Sequence, residues 1–324
     1  MNGGGGMSGL LIRRVVQLGP TLLATSVLMF FVLSMGPGPL AQLQEFSNLT
    51  AEDIARISHA HGWDRPLWHQ YLSWLTNFVT GDWGESIRTF RPAAEMIFER
   101  LPLTLTIASL ALVLSVGIGL PLGAYVAVRK YSKIDYMTTF ITLTLMAMPG
   151  FFLALVLQLC AVKLREGTGG VVFYTSGVPD GDSILEWVQR LALPVLTLTL
   201  THIAMWVRYQ RGELLNVLGQ EYIKCARAKG LPERVIFMRH AMRNAVLPIV
   251  TLIAIDLGKL VAGAVIVESV FGLPGIGTLL LDSVNGHDTT VVLDILMLVA
   301  LMMVLCNTLA DVLYGVLDPR VRVS

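Results

Sequence analysis

Six apolar runs divide this chain, and they constrain its fold more than any single motif does. Residues 15–34, 101–128, 137–162 and 192–207 contain no Asp, Glu, Lys or Arg. Residues 245–267 carry only Asp256 and Lys259, and residues 291–317 carry only Asp294 near the start and Asp311 near the end. A spanning helix needs about 20 predominantly apolar residues. In lipid every backbone N–H and C=O must be paired inside the structure, a demand that a helix meets by itself. The six runs therefore predict an all-α polytopic membrane protein with about six transmembrane helices, the fourth being the shortest. Composition agrees: 54% of the chain is hydrophobic and 15% charged, with mean hydropathy +0.65, whereas soluble domains carry about 25% charged residues.

The net charge of +1 says little as a sum, because the charges are segregated. With both termini on the cytoplasmic side, the inner segments hold Arg13, Arg14, Arg129, Lys130, Lys133, eight Lys and Arg between Arg208 and Arg243, and Arg320 and Arg322. The outer segments hold fewer, and residues 35–100 alone carry eight acids. This asymmetry predicts a multi-pass protein of the cytoplasmic membrane with the N- and C-termini inside. The first run follows Arg13-Arg14 as a secretory signal would, but it is too long for a signal core and reads as an uncleaved anchor.

Several chemistries are not expected. Cys160, Cys225 and Cys306 are too far apart for a disulfide framework or a metal-ligand set. His59 and His61 would point in nearly opposite directions on a helix, and with His69 they read as solvated surface residues rather than a metal site. There is no phosphate-binding Gly-x-x-x-x-Gly-Lys-Ser/Thr, no nucleophile elbow and no metalloprotease helix. The chain is not expected to be an enzyme on its own, to hold a cofactor, or to bind nucleic acid.

Along the chain, residues 1–9 with four consecutive glycines read as a disordered cytoplasmic tail and 10–34 as the first transmembrane helix. Residues 35–100 form an external segment, 101–317 the core with spans two to six, and 318–324 the cytoplasmic C-terminus. In the external segment Thr50 followed by Glu52 and Asp53 resembles a helix start, Asp64-Arg65-Pro66 a turn, residues 68–79 an amphipathic helix, and Gly81-Asp82-Trp83-Gly84 a break. Ala94, Ile97, Phe98 and Leu101 form one stripe leading into the second span. Trp63, Trp68, Trp74, Trp83 and Trp187 all fall in external segments. They suit the headgroup level of a membrane, or a receptor platform for a soluble partner, and the two are compatible.

Inside the spans, Ser115, Gly119 and Gly123 repeat at four-residue spacing, as do Ala254, Gly258 and Ala262. Such stripes let another helix approach closely, within one bundle or across a subunit interface. Pro149-Gly150 and Pro194 imply kinks or breaks. Asp256 and Lys259 share a face near mid-membrane, where they either neutralise one another or line a hydrophilic translocation path. Residues 272–277, Gly-Leu-Pro-Gly-Ile-Gly, follow a spanning helix and read as a turn or re-entrant loop, not a nucleotide cradle.

The segment 208–244 is too long for a simple connection and reads as helices broken at Gly219 and at Gly230-Leu231-Pro232. Small side chains around Ala226 and Ala228 suit close contact with a partner, Gly230 can end a helix in the left-handed conformation, and Pro232 suits the start of the next. A basic helix on this side also suits anionic headgroups, which accounts for Arg234, Arg239 and Arg243.

This segment resembles the EAA motif of permease subunits in ATP-binding-cassette importers, and more closely the B-type permease of dipeptide and oligopeptide importers. The resemblance rests on residues 222–231, Tyr-Ile-Lys-Cys-Ala-Arg-Ala-Lys-Gly-Leu, and on four further matches in order. These are Leu11-Ile12-Arg13-Arg14, Gly62-Trp63-Asp64-Arg65-Pro66-Leu67 with Gly81-Asp82-Trp83-Gly84, residues 267–277, and Leu317-Asp318-Pro319-Arg320. Two departures stand out: Lys224-Cys225-Ala226 replaces the Glu-Ala-Ala opening, and Arg243 falls where the general motif ends in proline, with Pro248 later.

The resemblance implies the type I importer permease fold with an external helical insertion between spans one and two. It implies a second, related permease subunit, two ATPase subunits that bind ATP and Mg, an external substrate-binding protein, and a short peptide as cargo, with nickel or another small solute as the variant reading. On that reading Glu221, Tyr222, Ala226, Ala228, Gly230 and Leu231 make the ATPase contact, and Asp256 and Lys259 belong to the path. A stand-alone ion-coupled carrier, or a membrane scaffold that recruits partners, is the reading from another class.

Overall fold

The computed structural model describes residues 7–36, 50–177 and 183–317, with side chains from 16 to 313. The glycine-rich start, residues 37–49 and 318–324, and with them the Asp318-Pro319-Arg320 match, lie outside the described residues. The fold is a helical bundle: α1 (Met7–Ser34), α2 (Ala51–His61), α3 (Leu67–Thr80), α4 (Ala93–Val128), α5 (Lys133–Ala147), α6 (Gly150–Thr168), α7 (Ile184–Leu218), α8 (Glu221–Ala228), α9 (Glu233–Phe271), α10 (Ile276–Asn285) and α11 (Thr289–Leu317). The first helix starts at Met7, inside the segment expected as a tail.

Among the described residues, five helices are long and apolar enough to cross a membrane: α1, α4, α7, α9 and α11. The remaining run, residues 137–162, falls in a bent pair, α5 and α6, that meets at 108°. The cause is local. Pro149 pushes Met148 into the extended region (φ −83°, ψ 126°) and is itself extended (φ −60°, ψ 139°), so two consecutive non-helical residues turn the chain. Pro194, by contrast, lies inside a continuous helix, as do Pro102, Pro121 and Pro248. The fourth span is not short. α7 has 35 residues and is therefore about 52 Å long at 1.5 Å per residue, well beyond a hydrocarbon core of about 30 Å. Its charged ends continue the helix because they find partners: Glu186 pairs with Arg190 at 2.9 Å, and Arg211 with Asp135 at 2.7 Å.

The small-residue stripes pack within the chain. A Cβ on Gly119 would lie 2.7 Å from Trp206 Cβ, and one on Gly123 would lie 2.5 Å from the Val207 carbonyl oxygen. Only glycine lets α4 and α7 come this close, and the contact buries Trp206 completely. Gly258 of α9 meets Met303 and Cys306 of α11, while Ala262 is exposed.

At the far end from the basic loop, the chain after α9 makes a tight turn. Gly272 is left-handed (φ 59°), and the N–H of Leu273 returns to the Glu268 carbonyl. The buried Glu268 carboxylate accepts from the Gly277 N–H at 2.7 Å and from the Thr104 hydroxyl at 2.6 Å, while Thr104 accepts from the Ile276 N–H at 2.9 Å. Two orphan donors at the start of α10 are thus satisfied by side chains from α9 and α4. A Cβ on Gly275 would overlap the Glu268 carboxylate, and one on Gly277 the Val265 backbone. The glycine-rich run is a turn that admits a buried acid.

The external helices follow the local signals. Thr50 and Asp53 form a reciprocal capping box at the start of α2, and Gly62 and Gly81 end α2 and α3 in the left-handed conformation. Trp83 stacks on Phe78 at 4.9 Å. Side-chain bonds tie this segment to the bundle: Trp74 Nε1 donates to Asp294 at 3.1 Å, Ser86 to Asp288 at 2.5 Å, and Tyr71 shares a 2.9 Å bond with Ser26.

Candidate docking surface

The basic loop folds as expected at its breaks. α7 ends at Leu218, and α8 is an eight-residue helix whose two inward residues, Ile223 and Ala226, are buried. They pack with Ala124 and Ala127 of α4, Leu214 of α7, and Ile236, Ala241 and Ala245 of α9. Three spans therefore converge on one short helix.

The end of α8 is a Schellman motif. The Leu231 N–H donates to the Ala226 carbonyl at 3.3 Å and the Gly230 N–H to the Arg227 carbonyl at 2.9 Å, with Gly230 left-handed at φ 75°. Pro232 serves as N-cap to the next helix, one position earlier than its expected place inside it, with Glu233 in the first turn. Arg227 reaches across the turn to Glu233 with bonds of 2.8 and 3.4 Å.

Beyond the turn, α9 opens with Glu233–Val235 and a π-helical stretch, Ile236–Met242, before the α-helix resumes at Arg243. Such wide turns are rare and recur at functional sites. Asn244, just past it, donates to the His240 carbonyl and to the Tyr222 hydroxyl, both at 2.9 Å. The base of the fifth span is thereby bonded to α8. A second tie lies behind it. Arg211 of α7 makes two bonds, 2.7 and 2.8 Å, to Asp135 at the start of α5, which also accepts from the Tyr131 N–H. Charge-assisted paired bonds of this kind fix orientation as well as distance.

The residues expected to meet a partner divide between two faces. Glu221, Tyr222, Ala228, Gly230 and Leu231 are exposed, together with Lys224, Cys225, Arg227 and Lys229. Ala226 faces inward, so its small side chain allows α8 to approach its own bundle. Sequence reasoning missed Ile223 as the anchor, Asn244 as the link to α9, and the Asp135–Arg211 pair. An isoleucine three residues before Ala226, on the same helix face, was the one available signal for the anchor.

Asp256 and Lys259 do not pair. Asp256 is buried and bonds His202 Nδ1 of α7 at 3.0 Å. Lys259 is exposed and has no ion pair among the described residues. His202 lies in a run free of Asp, Glu, Lys and Arg, and no spacing rule links it to a residue 54 positions away. Nearer the loop, a groove of about 500 Å³ opens beside Met242, Arg243, Val246, Leu247 and Val250 of α9.

Comparison with known proteins bears on this arrangement. Residues 119–323 match the model of a family described as the binding-protein-dependent transport system inner membrane component, and residues 7–108 match the N-terminal model of the same group. The oligopeptide transport system permease protein AppB of Bacillus subtilis is 35% identical over 320 residues, covering 98% of this chain and all of that protein. The dipeptide transport system permease protein DppB of Escherichia coli K12 is 32% identical over 332 residues, covering 96% of this chain and 98% of that one. Among solved structures, an inward-facing chain of the MetNI methionine ABC transporter matches with a TM-score of 0.56 at 18% identity, over 70% of this chain and 98% of that chain. That likeness supports the type I permease fold and nothing finer.

Proposed function

The chain belongs to the family of inner-membrane components of binding-protein-dependent transport systems, and we propose that it is a permease subunit of an ATP-driven importer of short peptides. It is a multi-pass inner-membrane protein that works within a transporter complex, and it is a permease rather than an enzyme. The carrying observation is a match along nearly the whole length to oligopeptide and dipeptide permeases, joined to a loop helix whose outer face is free and whose inner face anchors three spans.

In this reading the basic loop is cytoplasmic and both termini lie on that side. The exposed face of α8, from Glu221 and Tyr222 to Ala228, Gly230 and Leu231, fits a groove on an ATPase subunit. A related second permease, two ATPases holding ATP and Mg, and an external binding protein complete the machine. ATP favours the closed ATPase pair by its differential affinity for that state. Closing displaces α8, and the rigid seat around Ile223 and Ala226, with the Tyr222–Asn244 bond, carries the displacement into α7 and α9. The spans then rock between inward-open and outward-open arrangements. The His202–Asp256 bond joins α7 to α9, the two helices that such rocking would separate, and this supports a role for Asp256 in the path.

Reconstitution of the chain with its partners in vesicles tests the proposal. Uptake of a fluorescent tripeptide should require both ATP and the binding protein. Uptake driven by a proton gradient alone would overturn it in favour of an ion-coupled carrier, for which the His202–Asp256 pair would supply the titratable groups.

A further inference from the structure

The external helix α3 has three faces rather than two. Tyr71, Trp74 and Phe78 point inward: Tyr71 stacks on Phe31 at 6.4 Å and meets Phe30 edge-on, and Trp74 bonds Asp294. At 3.6 residues per turn, Trp68, Leu72, Leu75 and Val79 form an adjacent stripe. Trp68, Leu72 and Val79 are 60%, 51% and 77% exposed. The remaining face carries Ser73, Thr76, Asn77 and Thr80, all exposed. The helix contains no Asp, Glu, Lys or Arg.

We infer that α3 is an interfacial helix seated in the boundary layer of the outer leaflet, with Trp68, Leu72 and Val79 in lipid and Ser73, Thr76 and Thr80 in water. Three observations commit the stripe to lipid rather than to a soluble partner. First, it continues a lipid-facing surface. α1 beside it exposes Val27, Leu28, Phe31 and Val32, and of its apolar window within residues 16–34 only 11% is buried in the chain. Second, its depth is right. Tyr71 meets α1 at Ser26 and Phe30, eight and four residues before the helix ends at Ser34, or about 12 and 6 Å below that end. Trp74 meets α11 five residues after its start at Thr289, about 8 Å in. An interfacial helix buries its apolar side about 5–10 Å below the headgroups. Third, an indole with one wet edge suits this layer. Such helices often carry Lys or Arg for anionic lipid. This one does not, because its attachment to α1 and α11 already holds it at that depth.

The test places a nitroxide at 68, 72, 79, 73, 76 or 80 in a chain whose Cys160, Cys225 and Cys306 are replaced by alanine. The complete transporter is assembled in vesicles of phosphatidylethanolamine and phosphatidylglycerol. Relaxation by lipid-soluble oxygen should dominate at 68, 72 and 79, and relaxation by a water-soluble nickel chelate at 73, 76 and 80. Equal exposure of both sets to the chelate overturns the inference. So does shielding of 68, 72 and 79 from both reagents that disappears when the binding protein is left out. A second measurement needs no cysteine replacement: a lipid brominated near the headgroup should quench part of the tryptophan emission, and Trp68→Phe should remove that part. Quenching unchanged in Trp68→Phe counts against it.

Discussion

Gly230 separates the demands of the fold from the demands of a docking partner, because its two costs can be worked out independently. Its φ of 75° is left-handed, and a Cβ built there meets nothing within 4 Å. Any L-residue therefore adds a backbone cost of about 1–2 kcal/mol but no clash within the chain. α8 has reserves against that cost. Burying Ile223 contributes about 1.5–3 kcal/mol by itself, and the Arg227–Glu233 bonds brace the turn. Gly230→Ala should therefore leave the loop formed and lower transport by no more than about thirtyfold, the factor for about 2 kcal/mol. Gly230→Asn should lower it less, since Asn tolerates this conformation. Gly230→Trp carries the same backbone cost and projects an indole into the space that the proposed docking assigns to an ATPase. The assay is co-purification of the ATPases with a tagged permease, followed by ATP-driven tripeptide uptake and thermal unfolding of the permease alone. The expected order of ATPase retention is Gly, Asn, Ala, then Trp, with the last near zero and with similar melting of the Ala and Trp permeases. If Gly230→Trp retains the ATPases as Gly230→Ala does, the exposed end of α8 is not the docking face.

Four further outcomes follow from the same contacts. Tyr222→Phe removes one hydrogen bond, about 1 kcal/mol, and should raise the ATP hydrolysed per tripeptide imported. Combined with Asn244→Ala it should do no further harm, and additive losses would dissolve the link. Arg211→Ala leaves Asp135 buried with one charge partner fewer and should cost about 2 kcal/mol, toward the low end for such pairs because Arg211 is partly solvated; melting of the detergent-solubilised protein reports it, and an unchanged midpoint contradicts it. Gly277→Ala places a methyl on the Val265 backbone and should cost about 3 kcal/mol or more, read as loss of folded protein in the membrane. Finally, the Thr50 hydroxyl and N–H hold the Asp53 carboxyl below its usual range. A depressed carboxylate helps the folded state above its unfolded value of about 4 and loses that help as pH falls through the folded one. Amide exchange over α2 should therefore accelerate only in acid, and Thr50→Ala, which removes the hydroxyl but keeps the backbone N–H, should weaken the pH dependence.

The spans were legible because lipid leaves the backbone no other partner, so apolar length alone marks a helix. The break at Pro149 was legible too, since proline constrains the residue before it wherever it stands. The extent of α7 was not. Glu186, Arg190 and Arg211 interrupt the apolar pattern, yet they continue the helix because Glu186 and Arg190 pair with each other and Arg211 with Asp135, 76 positions away.

That this chain crosses the membrane several times, where its loop helix ends, and which residues are small enough for close approach can all be read from the order of its residues. These are properties of local backbone sterics and solvent. What approaches them is set by the packed bundle. Gly119 and Gly123 receive a helix of the same chain, Ala226 faces its own bundle, and Asp256 turns to His202 rather than to Lys259 three residues on. Helical spacing tells which side chains share a face, but which face is covered depends on helices that arrive from elsewhere in the chain.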